Sequence, residues 1–152
     1  MKFPKIYKDK DVSLDVIKGI KVGIIGFGNQ GRAQALNLRD SGIAVTIGLR
    51  EGSPSVGSGT SSRQEAEVEA MQCQGISKVV KDCDIISLLI PDQVMGKVYS
   101  ENIAPHLTGG QSLLFSHGYN IHYKLIQPPD NVNVIMAAPS GAGIELRQRY
   151  QD

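Results

Sequence analysis

A short apolar strand that runs straight into Gly-x-Gly-x-x-Gly constrains this chain more than any other feature. The run is Val22, Gly23, Ile24, Ile25, Gly26, Phe27, Gly28, Asn29, Gln30 and Gly31. Each glycine of the loop answers a separate steric demand. Gly26 allows the tight strand-to-helix turn, Gly28 lets the backbone approach a diphosphate without a Cβ, and Gly31 lets the new helix pack against the strand. The free N–H groups and positive dipole end of that helix then face the phosphates. Glycine-rich turns are common, so the sequence on both sides has to carry a dinucleotide site.

Downstream, residues 32–41 hold good helix formers, apolar side chains at Ala33, Ala35, Leu36 and Leu38, and a stop glycine at Gly42. Residues 43–49 follow as a β-branched strand, completing a strand–helix–strand unit that ends on Arg50. The residue about 20 positions past the glycine loop meets the adenosine ribose. An acidic side chain there would repel a 2′-phosphate, whereas the Arg50 guanidinium fork suits one. Ser53, Ser55, Ser58, Ser61 and Ser62 follow in a loop rich in hydroxyl donors, so NADPH is favoured over NADH. Glu51 opposes that preference if it, rather than Arg50, faces the ribose. The same Gly/Ser loop also reads as surface chain with no ligand role.

At 152 residues the chain fits one domain, residues 1–152. Sixteen basic against fifteen acidic residues leave no electrostatic case for nucleic acid or an anionic membrane, and the low aromatic content says the same for base stacking. No apolar stretch has spanning length and residues 1–5 lack a signal-peptide core, so the cytoplasm is the expected compartment. Cys73 and Cys83 have no Cys-x-x-Cys spacing and read as buried or half-buried free thiols. Glu65 and Glu69 share a face of an expected helix at 63–72, as a metal pair requires, but a solvated face is the better reading of them. His106 carries no motif. No metal site is expected within the chain.

The alternation continues, with strands expected at 75–77, 84–90, 111–116 and 132–138 and helices at 78–83 and 93–102. The 84–90 run is almost unbroken in its apolar character and ends on Pro91 and Asp92, which open the next helix. The expected fold is therefore α/β, a Rossmann-like doubly wound and mostly parallel sheet with helices on both faces. In such a sheet Asp92, Gln93, Val94 and Met95 line the path of the nicotinamide half. The loops at 117–120 and 139–143 open onto the same crevice. His117 there reads either as a site residue or as a turn residue, and His122 as structural.

With these runs in hand, the chain resembles the N-terminal domain of ketol-acid reductoisomerase from end to end. The resemblance rests on 20–31, 35–42 and 48–50, on Leu88 to Gln93, on Phe115 to His122, on 126–129 and on 138–143. It implies NADPH bound through Phe27 to Gln30, Arg50, Ser53 and Ser55, with Ser61 or Ser62 as substitutes, then Pro91 to Met95 and Gly143. It implies His117 as the catalytic histidine. The implied reaction moves an alkyl group within a 2-acetohydroxy acid with magnesium and then transfers hydride from NADPH, giving a 2,3-dihydroxy acid of branched-chain amino-acid biosynthesis. The family has lysine and proline where this chain has Ser140 and Ala142, and the resemblance puts the magnesium carboxylates in a C-terminal helical domain beyond Asp152. The expectation is therefore cofactor binding without turnover by this chain alone. A homodimer is compatible with the resemblance, though no pattern demands it. The alternative is a stand-alone NADP-binding module, or a reductase of another small substrate, that has lost isomerase chemistry.

Overall fold

The computed structural model describes residues 5–50 and 61–152, so Glu51, Ser53, Ser55 and Ser58 lie outside the described residues. Six strands form one parallel sheet: β1 (Lys21–Ile25), β2 (Ala44–Leu49), β3 (Gln72–Gly75), β4 (Ile85–Leu88), β5 (Ser112–Phe115) and β6 (Asn133–Met136). Their spatial order is β3-β2-β1-β4-β5-β6. Ile25 pairs with Gly48 on one side and Leu88 on the other, so β1, β2 and β4 finish level. Chain order reverses between β1 and β4, and a crevice opens beyond the carboxyl ends of these strands.

Side chains of β1 alternate between two cores, as a strand period of two requires. Val22 and Ile24 face one side, with Ala35 and Leu36 of α1 (Asn29–Asp40) and Ala66 of α2 (Ser62–Val68). Ile25 faces the other, with Val79 and Val80 of α3 (Ile76–Asp82) and Met95 and Val98 of α4 (Asp92–Val98). Gly23 and Gly48 lie beneath Val79: a Cβ on Gly23 would collide with its side chain, so these two positions let α3 sit close on the sheet. Among the described residues no helix is long and apolar enough to cross a membrane.

Several boundaries differ from expectation. The helix expected through residue 72 stops at Val68, because Ala70 turns left-handed at φ 54° and the Ala70 and Met71 amides donate back to Glu67 and Ala66. That reversal starts β3 at Gln72, earlier than 75–77, and α3 begins at Ile76 so that Ile76, Val79 and Val80 all reach the core. β3 was hard to see because this sheet-edge strand contains Gln72, Gln74 and Gly75. α4 is continued by a π-helical turn at Tyr99–Ile103. One turn, α5 (Tyr119–His122), follows β5 and carries His122. α6 (Gly143–Gln151), which the sequence reading did not foresee, packs along α1. β6 was expected as an apolar strand and is one, yet Val134, Ile135 and Met136 are all exposed at the open edge of the sheet.

Candidate cofactor site

The glycine loop divides into positions that the protein's own packing demands and one that it does not. Gly26 has φ +98°, and a Cβ there would come within 2.8 Å of the Leu89 carbonyl oxygen. At Gly31 a Cβ would stand 2.5 Å from the Gly26 carbonyl oxygen, so the helix could not start so close to the strand. Gly28 is different: a Cβ there would meet no heavy atom within 4 Å. Internal packing leaves that position free, and its missing side chain keeps the loop surface clear. Phe27, 1% exposed, sinks its ring into the α1 core and anchors the loop from below.

A cleft of about 1270 Å³ runs from this loop along the carboxyl ends of the strands. That exceeds the ~300–1,000 Å³ usual for small-ligand pockets and suits an elongated ligand. Its wall is completed by α6. Gly143 abuts the Asn29 carbonyl, and Arg147 donates to Asn37 Oδ1 at 2.8 Å and pairs with Asp40. Gln30 Nε2 donates to the Gly141 carbonyl at 2.9 Å, and Gln34 Nε2 donates to Ser116 Oγ at 3.1 Å. The loops after β5 and β6 are thereby tied to the first turns of α1.

At the β2 end the exposed Arg50 lines the cleft, with Ser62 nearby. Ser61 does not line it. Its hydroxyl accepts from the Gln64 amide while Gln64 Oε1 accepts from the Ser61 amide, a reciprocal cap on α2. Glu65 and Glu69 both reach the cleft rim, but Glu69 forms an ion pair with Arg32. Among the described residues no group of three or more His, Cys, Asp or Glu side chains could hold a metal ion.

The opposite end is built on a buried amide. Asn120, fully buried, donates from Nδ2 to Asp92 Oδ1 at 2.9 Å and, at 3.3 Å, to the Asp92 carbonyl. Asp92 Oδ2 lies 3.5 Å from Nδ1 of His117, and the Tyr119 amide donates to that same Nδ1 at 3.3 Å.

Of the residues singled out from sequence, Gly26 to Gln30, Arg50, Ser62, Pro91, Asp92, Val94, Met95, His117 and Gly143 all border the cleft. Gly31 lies behind the loop, and Gln93 faces a separate shallow depression with Tyr119 and Asn120. Arg32, Ser116, Ile144, Arg147, Gln148 and Gln151 also line the cleft and were not singled out. The signal for α6 was present: Glu145 in the first turn and Arg149 in the last match the helix dipole. His106 sits in a short 3-10 turn and His122 is exposed. Cys83 is buried and Cys73 half-buried, both free, and burial pushes both thiols up from their usual range.

A family model described as acetohydroxy acid isomeroreductase, NADPH-binding domain, matches residues 16–152. The ketol-acid reductoisomerase (NADP(+)) of Pyrococcus abyssi is 48% identical over 150 residues, covering 99% of this chain and 43% of that protein. The ketol-acid reductoisomerase (NAD(P)(+)) of Metallosphaera sedula is 47% identical over 147 residues, covering 96% and 42%. The solved structure of an NADH-preferring ketol-acid reductoisomerase from an uncultured archean superposes with a TM-score of 0.90 at 38% identity, covering 97% of this chain and 44% of that one. This chain thus spans about two-fifths of the length of the curated relatives it matches.

Proposed function

We propose, from the premise that this chain belongs to the acetohydroxy acid isomeroreductase family as its NADPH-binding domain, that the cleft is where NADPH lies. In this reading the diphosphate rests on the amides of Gly28, Asn29 and Gln30 at the start of α1. Arg50 and Ser62 take the 2′-phosphate, with Ser53 and Ser55 of the adjoining loop as further donors. Pro91, Asp92, Val94 and Met95 flank the nicotinamide half, and His117 and Gly143 border the same cleft. Bound NADPH supplies a hydride; the chain's own part is to bind, orient and shield it.

The observation that carries the reading is Gly28. Of the three loop glycines, it alone is not explained by the protein's own atoms, and it sits where a diphosphate needs a bare backbone. The family description extends the reading to a reductoisomerase acting on a small 2-acetohydroxy acid, in which His117 organises protons near the substrate; we place this reading in the cytoplasm. A homodimer belongs to the same reading, with the exposed β6 edge as available surface.

Titrating the isotopically labelled chain with NADPH and following amide resonances tests the placement. Amides of Gly28 to Gly31 and Asp92 to Met95 are expected to move, with those of β6 unmoved. Shifts confined to other surfaces would reject the cleft as the site.

A further inference from the structure

The imidazole of His117 has an unusual local choice. Its Nδ1 faces two partners at once: the Tyr119 amide, a donor at 3.3 Å, and the Asp92 carboxylate, an acceptor at 3.5 Å. Only one of the two can be satisfied at a time. With a bare Nδ1 the ring accepts from Tyr119, and with a protonated Nδ1 it donates to Asp92. Which partner wins decides which nitrogen is left for the cleft.

Asp92 is not free to turn away. Asn120 holds Oδ1 of that carboxylate and also the Asp92 carbonyl, and it does so from a fully buried position. The orientation of the Asn120 amide is fixed by the same contacts, because reversing it would set its oxygen against two oxygens of Asp92. Its own Oδ1 is then left buried with no hydrogen-bond partner, a cost the fold accepts in order to aim Nδ2 at Asp92. The second oxygen of the carboxylate, Oδ2, is presented to His117.

We propose that Asp92, held by Asn120, is a positioning residue that selects the Nδ1–H form of neutral His117 and leaves Nε2 as the unprotonated nitrogen at the cleft. The Tyr119 amide makes the shorter contact, but a hydrogen bond to a carboxylate is roughly twice as strong as one between neutral groups, so closing the 3.5 Å gap between Nδ1 and Asp92 Oδ2 favours the carboxylate. Among the described residues Nε2 has no hydrogen-bond partner, which leaves it available as an acceptor. Asp92 thus acts on the site through the ring of His117. The proposal rests on the reading of the cleft as a nicotinamide site, but it concerns the ring itself and is read without cofactor.

The experiment is nitrogen NMR of the full chain with labelled histidine, at a pH of about 9 where an ordinary imidazole is neutral. The two ring nitrogens of His117 differ widely in shift according to which carries the proton. In the native chain Nδ1 is expected at the protonated position and Nε2 at the bare one. Asp92→Asn keeps the oxygen that accepts from Asn120 but offers an N–H to His117, so the two nitrogens are expected to exchange positions. A native chain with the proton on Nε2 overturns the proposal, and so does an Asp92→Asn chain in which the pattern is unchanged. If Asp92→Asn fails to fold, the native spectrum alone decides. Loss of NADPH binding with the native pattern intact would reject the cofactor reading and leave the role of Asp92 standing.

Discussion

Gly143 packs against the Asn29 carbonyl so closely that a Cβ at residue 143 would overlap that oxygen. The start of α6 and the first turn of α1 are therefore one continuous wall, although Asn29 and Gly143 lie 114 positions apart in the chain. Gln30 donating to the Gly141 carbonyl closes the same seam from the other side.

Two alanine substitutions separate packing from binding. Gly143→Ala forces backbone apart and is expected to cost about 1–3 kcal/mol of stability, as overpacking does. Gly28→Ala adds a methyl to open space and is expected to stay within about 1 kcal/mol, the N-cap preference of glycine over alanine included. NADPH affinity should nevertheless fall at least tenfold in Gly28→Ala, about 1.4 kcal/mol. Denaturant unfolding and fluorescence titration of both variants check the pair of outcomes.

Ala70 adopts the left-handed conformation that ends α2, a geometry in which a Cβ is unfavourable. Its amide and that of Met71 cap the helix, so the conformation cannot relax without releasing both bonds. Ala70→Gly is expected to raise stability by about 1 kcal/mol. A rise in unfolding midpoint with unchanged denaturant slope is the signature to seek.

Asp40 anchors α6 to α1. The Arg147 guanidinium hydrogen-bonded to it, with Arg39 second, holds its carboxyl below the usual carboxylate range. Because the folded value is the lower one, the stabilisation is present above the unfolded value of about 3.9 and is lost as pH falls through the folded value. Asp40→Asn is therefore expected to be less stable than the native chain at pH 7, with the gap closing in acid. Unfolding curves for both proteins between neutral pH and about pH 3 measure this directly.

The central βαβ unit and the doubly wound parallel sheet were legible because glycine spacing, unbroken apolar runs and Arg50 all point the same way. The α2 to α3 segment was less so. Its turn is made by Ala70 rather than glycine, and its strand by glutamines at the sheet edge, so composition concealed both. The cleft residues named from sequence were those at the glycine loop and beyond the carboxyl ends of β2, β4, β5 and β6. Arg147 and Gln148 escaped notice because their place depends on α6 folding back over α1, a contact between distant segments that no local pattern encodes. The Asn120 to Asp92 to His117 chain depends likewise on two distant segments, the start of α4 and the turn after β5, meeting at the carboxyl end of the sheet.

Arg50 and the glycine loop together make one demand, that the cleft read a 2′-phosphate. Calorimetric titration of this chain with NADPH and with NADH, repeated on Arg50→Ala, measures it. NADPH binding at least tenfold tighter, about 1.4 kcal/mol, with the difference lost in Arg50→Ala, is the expected result. Equal affinities, tighter NADH binding, or no binding of either would contradict the cleft as an NADPH site.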